Sequence, residues 1–113
     1  MKIIKKPIKL DELKEMAPKM FGNLVKVVVD IDKQIMAVDA EMHSDEEGGL
    51  LENGSRQSDL WGINIYPEKT GEGFVEFDSM INLRPTQNNR SRGVDNLEIR
   101  EKIIKTVSKL IEK

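Results

Sequence analysis

The stretch from Phe74 to Arg92, FVEFDSMINLRPTQNNRSR, constrains this chain more than any other. Val75, Phe77, Ser79, Ile81 and Leu83 fall on one side of an extended backbone there. Glu76, Asp78, Asn82 and Arg84 fall on the other, joined only by Met80. The alternation predicts a long strand with one buried and one polar face. Pro85 ends it, because proline has no N–H to give to a ladder. The segment beyond it, through Gln87, Asn88, Asn89, Arg90, Ser91 and Arg92, is polar and cationic and contains no acid. Such a strand requires partners, and the rest of the chain is read for them.

Leu24 to Ile31 sets Val25, Val27, Val29 and Ile31 against Lys26 and Asp30. A turn near Asp32 and Lys33 leads into a second run, Ile35 to His43, so the pair reads as a β-hairpin. With Met36, Val38, Ala40 and Met42 on its core side, Asp39, Glu41 and His43 share the other, and Ile35 and Ala37 are left there too. Leu60 to Tyr66, LWGINIY, is a third strand ended by Pro67, and a glycine-containing loop joins it to the long strand. Lys2 to Lys6 predicts a short edge strand. Leu13, Met16, Ala17 and Met20 recur at helical spacing from Asp11, with Pro18 set to kink or shorten the helix and Gly22 to stop it. Asp95 with Glu98 opens a last helix striped by Ile99, Ile103, Val107, Leu110 and Ile111. Between residues 44 and 54, Ser44 and Glu47 have capping-box spacing and predict a short helix, while Asn53-Gly54 suits a tight hairpin. The helix is preferred. The sum is one α+β domain, residues 1–113: a mostly antiparallel four-stranded sheet with the N-terminal and C-terminal helices on one face. Its other face is left open or covered by a second copy.

Eighteen basic against 20 acidic residues exclude a generally basic protein, so nucleic acid is not the expected partner. Charge is nevertheless segregated, with seven acids and one base, Arg56, between Asp39 and Asp59. No cysteine is present, which removes disulfides, thiolate catalysis and zinc–cysteine sites, and His43 is the one imidazole. No apolar run reaches membrane-spanning length, and Ile3-Ile4 is too short for a signal segment, so the expected setting is the cytoplasm. Phosphate-binding, dinucleotide, zincin and nucleophile-elbow motifs are all missing.

Two groups of residues can carry chemistry. The first lies on the sheet face away from the helices: Glu41, His43, Asn64, Tyr66, Glu76, Asp78, Asn82 and Arg84. Carboxylates beside the only side chain that titrates near neutrality can make an acid–base pair or an oxygen-and-nitrogen metal site, or can simply be the solvated face of a one-sided sheet. The second is the loop Asn88 to Gly93, where Asn89, Arg90, Ser91 and Arg92 precede a helix start. Two guanidinium forks, a hydroxyl and helix-start amides suit a phosphate or carboxylate, and equally suit the chain's own acidic segment.

Through HSDEE, SRQSDLWGINIYP and EFDSMINLRPTQNNRSRGV the chain resembles a family of small prokaryotic domains of about this length. That resemblance implies a compact domain and carries over no catalytic residue. The leading expectation is a non-catalytic binding module holding an anionic ligand or partner through Asn64, Asn82, Arg84, Asn89, Arg90, Ser91 and Arg92, with no cofactor or resident metal. One alternative is a small metal-dependent hydrolase or phosphotransfer enzyme using Glu41, His43 and Asp78. Another is a structural homodimer with no ligand, its open face an interface through Val28, Ile35 and Met80.

Overall fold

The computed structural model describes all residues, Met1–Lys113. The sheet has five strands in the order β1-β4-β3-β5-β6, every neighbouring pair antiparallel. They are β1 (Lys2–Ile4), β3 (Val25–Asp30), β4 (Ile35–Val38), β5 (Leu60–Ile65) and β6 (Val75–Glu76). The expected strand near the N-terminus is thus the fifth member, paired on the outer side of β4. A small parallel pair, β2 (Ile8–Lys9) with β7 (Ile111–Glu112), ties the two ends of the chain together.

Helix α1 (Leu10–Met20) and helix α3 (Leu97–Leu110) pack on one face. Leu13, Met16, Ile103, Val107 and Leu110 meet Val25, Val27, Val29, Met36, Val38, Trp61, Ile63 and Ile65 in one core. The strand residues are the odd positions of β3 and β5 and the even ones of β4, as a two-residue period demands. Pro18 sits inside α1 and cannot give the N–H bond to the Lys14 carbonyl, two residues before the helix ends at Met20, and Gly22 follows at a φ of 87°. In α3 the capping residue is Asn96, one position later than expected: its Oδ1 accepts from the amides of Glu98 at 2.8 Å and Ile99 at 3.1 Å.

The second face is not left open. Helix α2 (His43–Glu52) lies across it, and Leu50 packs with Val28, Ala37 and Leu60 beneath flanking Ile3, Ile35 and Ile81. The apolar side chains of Ile35 and Ala37, awkward on a polar face, are there because α2 covers them. Strand β4 ends at Val38 since Asp39 takes a left-handed φ of 65°. Asp39, Glu41 and His43 therefore do not line up along a strand, and His43 begins α2 instead. The Asn53-Gly54 pair ends that helix, with Gly54 at a φ of 93°.

The largest departure is at Phe74 to Leu83. Only Val75 and Glu76 pair with β5, and the chain then crosses into a 3-10 turn at Met80–Asn82, leaving Met80 63% exposed. The strand is cut short because the Asn82 side chain takes the place of a backbone. Its Oδ1 accepts from the Gly62 amide at 2.9 Å, and its Nδ2 donates to the Gly62 carbonyl, also at 2.9 Å. A carboxamide offers the same donor and acceptor as a peptide unit, so the edge of β5 is satisfied with no strand beside it. The crossing segment presses on Gly62, where a built Cβ would stand 2.5 Å from the Ser79 Cβ.

Candidate functional site

The arginine-and-asparagine group expected to bind an anion is largely structural. Arg84 is only 8% exposed and lies 4.7 Å above the Trp61 ring. Its guanidinium donates to the carbonyls of Ile81 at 3.0 Å, Gln57 at 2.8 Å and Leu60, and pairs with the Glu47 carboxylate at 3.7 Å. Burial lowers its pKa, and Glu47 offsets part of the shift. Asn89, also buried, donates to the carbonyls of Asn82 and Gly93 and accepts from the Asp95 amide, which sets the loop's shape. The position an anion would take there belongs to Asp95, whose oxygens accept from the Ser91 hydroxyl at 2.7 Å and the Arg90 amide at 3.2 Å. The Ser91 bond is the main cause of its lowered pKa. Asn82, Arg84 and Asn89 thus have their donors committed within the chain. Ser91 is tied to Asp95, and the Arg90 side chain points into solvent with no partner.

A different set of polar side chains converges on the α2 side of the sheet, at the end where α2 begins. Lys26, Asn64 and Glu76 stand in a row across β3, β5 and β6, each directly opposite the next. Asn64 Nδ2 donates to Glu76 Oε1 at 2.8 Å, and the Tyr66 hydroxyl donates to the same oxygen at 3.1 Å. Partial burial raises the Tyr66 pKa first, and the Glu76 bond adds to it. Asn64 Oδ1 is enclosed and has no partner. At the rim, Arg92 Nε meets Asp78 Oδ1 at 2.7 Å, with both side chains about half exposed.

His43, in the first turn of α2, closes this recess from above. Its Nε2 lies 2.7 Å from the Ile63 carbonyl oxygen. A carbonyl only accepts, so Nε2 carries the proton and Nδ1 keeps a lone pair that no group in the chain uses. Burial lowers the His43 pKa, and Lys26 and Arg92 push the same way, against Asp78 and the Ile63 bond. The ring is neutral at pH 7. One turn further on, Glu46 is wholly buried, and neither carboxyl oxygen has a well-formed hydrogen bond, the Ala40 amide being the one polar group of the backbone near it. Desolvation raises its pKa to about 10, while the Ala40 amide, Lys26 and the N-terminal amine pull weakly the other way. It is therefore protonated.

Of the residues singled out from sequence, His43, Asn64, Tyr66, Glu76, Asp78 and Arg92 come together in this recess. Glu41 stays exposed ahead of α2 and makes no bond or ion pair. Lys26 and Glu46 were missed. A lone lysine inside VKVVVD, and a glutamate three residues after the only histidine, were the available signals. No three His, Asp or Glu side chains are grouped as a metal ion would require.

A family profile described as a protein of unknown function, DUF5674, matches residues 2–110. The chain belongs to the DUF5674 family. No curated protein and no solved structure matches this DUF5674 chain. No helix in it is long and apolar enough to cross a membrane.

Proposed function

We propose that this DUF5674 domain is a non-catalytic binding module that holds a small oxyanion in the recess beneath the first turn of α2. The observation that carries the reading is His43, buried and neutral, with an unused Nδ1 lone pair near the cations Lys26 and Arg92 and the acid Asp78. Lys26 and the outward N–H groups of Arg92 suit the charge of a phosphate or carboxylate. Nδ1 requires a donor from the ligand, so the matching chemistry is an oxyanion that keeps an O–H or N–H, such as hydrogen phosphate, a phosphomonoester or an amino acid. The Asp78–Arg92 pair, half exposed, is the contact such a ligand would exchange. The reading includes the cytoplasmic setting expected from the sequence.

A second reading keeps the same residues and makes His43 a general base, since a neutral imidazole with a free lone pair is what proton abstraction needs. Asp78 would then steady the imidazolium by its charge. Metal assistance has no ligand cluster to support it in this recess.

An amide-shift NMR titration with phosphate, a nucleotide mixture, a short oligonucleotide and magnesium, each added separately, tests the binding reading. Saturable shifts at residues 26, 43, 64, 78 and 92 with an oxyanion, abolished in Arg92→Ala, are expected. Silence at these positions with all four probes, or shifts confined to Asn88–Ser91, would remove it. Turnover of a phosphomonoester that disappears in His43→Gln would favour the enzyme.

A further inference from the structure

On the face away from the oxyanion recess, helix α3 packs over β3 and β4, while β6 is the edge strand beyond β5. The space left between the helix and that edge is an apolar groove of about 590 Å³. Small-molecule sites span roughly 300–1,000 Å³, so the groove has the size of one. Phe74, Val107 and Ile111, all buried, make its floor, and Val75, Phe77 and the 41%-exposed Ile104 make its sides. It follows α3 from Arg100 to Ile111, roughly 16 Å at the helical rise. Spread over that length the volume is a narrow slot, which suits an extended alkyl chain better than a fused ring system.

The charges of the groove stand toward its ends. Lys113 lies 4.1 Å above the Phe74 ring, and Glu72 lines the groove on the same side as Phe74. Arg100 lies 4.8 Å above the Phe77 ring. Its Nε donates to the Val94 carbonyl at 2.6 Å, which fixes the guanidinium, and its two terminal nitrogens make no hydrogen bond or ion pair within the chain. Asp95 feels the Arg100 charge, but its own oxygens accept from the Ser91 hydroxyl and the Arg90 amide. Glu101 has Lys105 one turn on to offset it. Arg100 is thus a fixed cationic fork with free N–H groups at the mouth of an apolar slot. An anion joined to an apolar body satisfies both, and a carboxylate matches the fork.

We propose that this groove binds the monomeric anion of an aliphatic carboxylic acid, its carboxylate on the Arg100 guanidinium and its alkyl chain laid along α3 toward Ile111. The site shares no residue with the oxyanion recess, and neither reading depends on the other.

An amide-shift NMR titration with dodecanoate, kept below its micelle concentration, tests this. Acetate supplies the head group alone, and dodecyltrimethylammonium the same chain with the opposite charge. Saturable shifts at residues 74, 75, 77, 104 and 107 are expected with dodecanoate, none with acetate, and binding at least about tenfold weaker with the cation. Arg100→Gln weakens dodecanoate binding about tenfold or more, and Arg100→Lys, which keeps the charge without the fork, weakens it less. Ile104→Glu, an exposed change that leaves Arg100 and its Val94 bond in place, sets an acid against the bound chain and abolishes binding. Circular dichroism confirms that each variant folds. No saturable shift with dodecanoate, equal binding of the cation, or an affinity that Arg100→Gln leaves unchanged overturns the proposal. So do shifts at residues 26, 43 and 64 in place of these, which assign the acid to the recess, and shifts on raising the protein concentration alone, which give the groove to a second copy.

Discussion

Replacing Glu46 by Gln tests the electrostatics of the α2 turn directly. The carboxyl is fully enclosed and its pKa is raised to about 10 by desolvation, against an ordinary value near 4.5. The folded protein holds a proton that the unfolded chain releases above that ordinary value, so raising the pH drives unfolding. Linkage gives a loss of about 1.4 kcal/mol per pH unit from roughly pH 5 up to roughly pH 10. At pH 7 the accumulated cost is up to about 3 kcal/mol, a large fraction of the 5–15 kcal/mol by which a domain of this kind is stable, roughly. Gln keeps the shape and cannot ionise, so the variant loses this slope. Burying an amide with unmet donors costs about 1–3 kcal/mol at every pH, which lowers its curve without tilting it. The assay is urea unfolding followed by the fluorescence of the single, buried Trp61 at intervals from pH 5 to pH 9. Above about pH 6.5, where His43 no longer titrates in either state, the wild type is expected to lose stability steeply while Glu46→Gln is nearly flat; below it both curves carry the same additional His43 component. Parallel curves would mean that Glu46 is ionised in the folded state, and would refute the reasoning.

Arg84→Ala removes three carbonyl bonds and leaves the Glu47 carboxylate half-buried without its cation. A loss of about 3–5 kcal/mol is expected in urea unfolding, with a smaller loss when Glu47→Gln is added. Gly62→Ala drives a methyl group against Ser79 and is expected to cost about 1–3 kcal/mol, read in the same way; adding Ser79→Gly recovers much of it. His43 works in the opposite direction to Glu46. Its folded pKa lies below the ordinary 6.5, so it is neutral in the folded protein while the unfolded chain takes up a proton. Wild-type stability therefore falls as pH drops below about 6.5 by a component that His43→Gln abolishes, checked by thermal unfolding from pH 7.5 to pH 5.

The α+β class, the β3–β4 hairpin, the strand at Leu60–Ile65 and both core helices were legible because apolar residues recur at the strand period in β3 and β5 and at the helical period in α1 and α3, although β4 proved to stop at Val38 and not at His43. Valine at every second position in β3 allows no other assignment. The stretch after Phe74 keeps an equally good period and still forms only two residues of strand. Periodicity reports which side chains turn inward, and does not report that the Asn82 carboxamide satisfies Gly62 in place of a paired backbone. Asn89 and Arg84 escaped in the same way: polar side chains that serve as backbone partners look in sequence like residues waiting for a ligand. The cover on the second face was half legible, since the helix was expected while the two misfit apolar residues of β4, Ile35 and Ala37, were not connected to it. Within the recess, His43 stood out as the one imidazole. Its neighbours Lys26 and Glu46 did not, because the first sits among valines and the second is one of three consecutive acids, Asp45, Glu46 and Glu47.

The ring nitrogens of His43 provide the most direct test of the oxyanion recess. Long-range proton–nitrogen NMR spectra of the labelled protein at pH 7 separate a protonated from a bare ring nitrogen, and can be followed as inorganic phosphate is added. A neutral ring with its proton on Nε2, and an Nδ1 resonance that shifts saturably with phosphate while Nε2 holds, is the expected result. A ring that is charged, that carries its proton on Nδ1, or whose Nδ1 ignores phosphate would contradict the account.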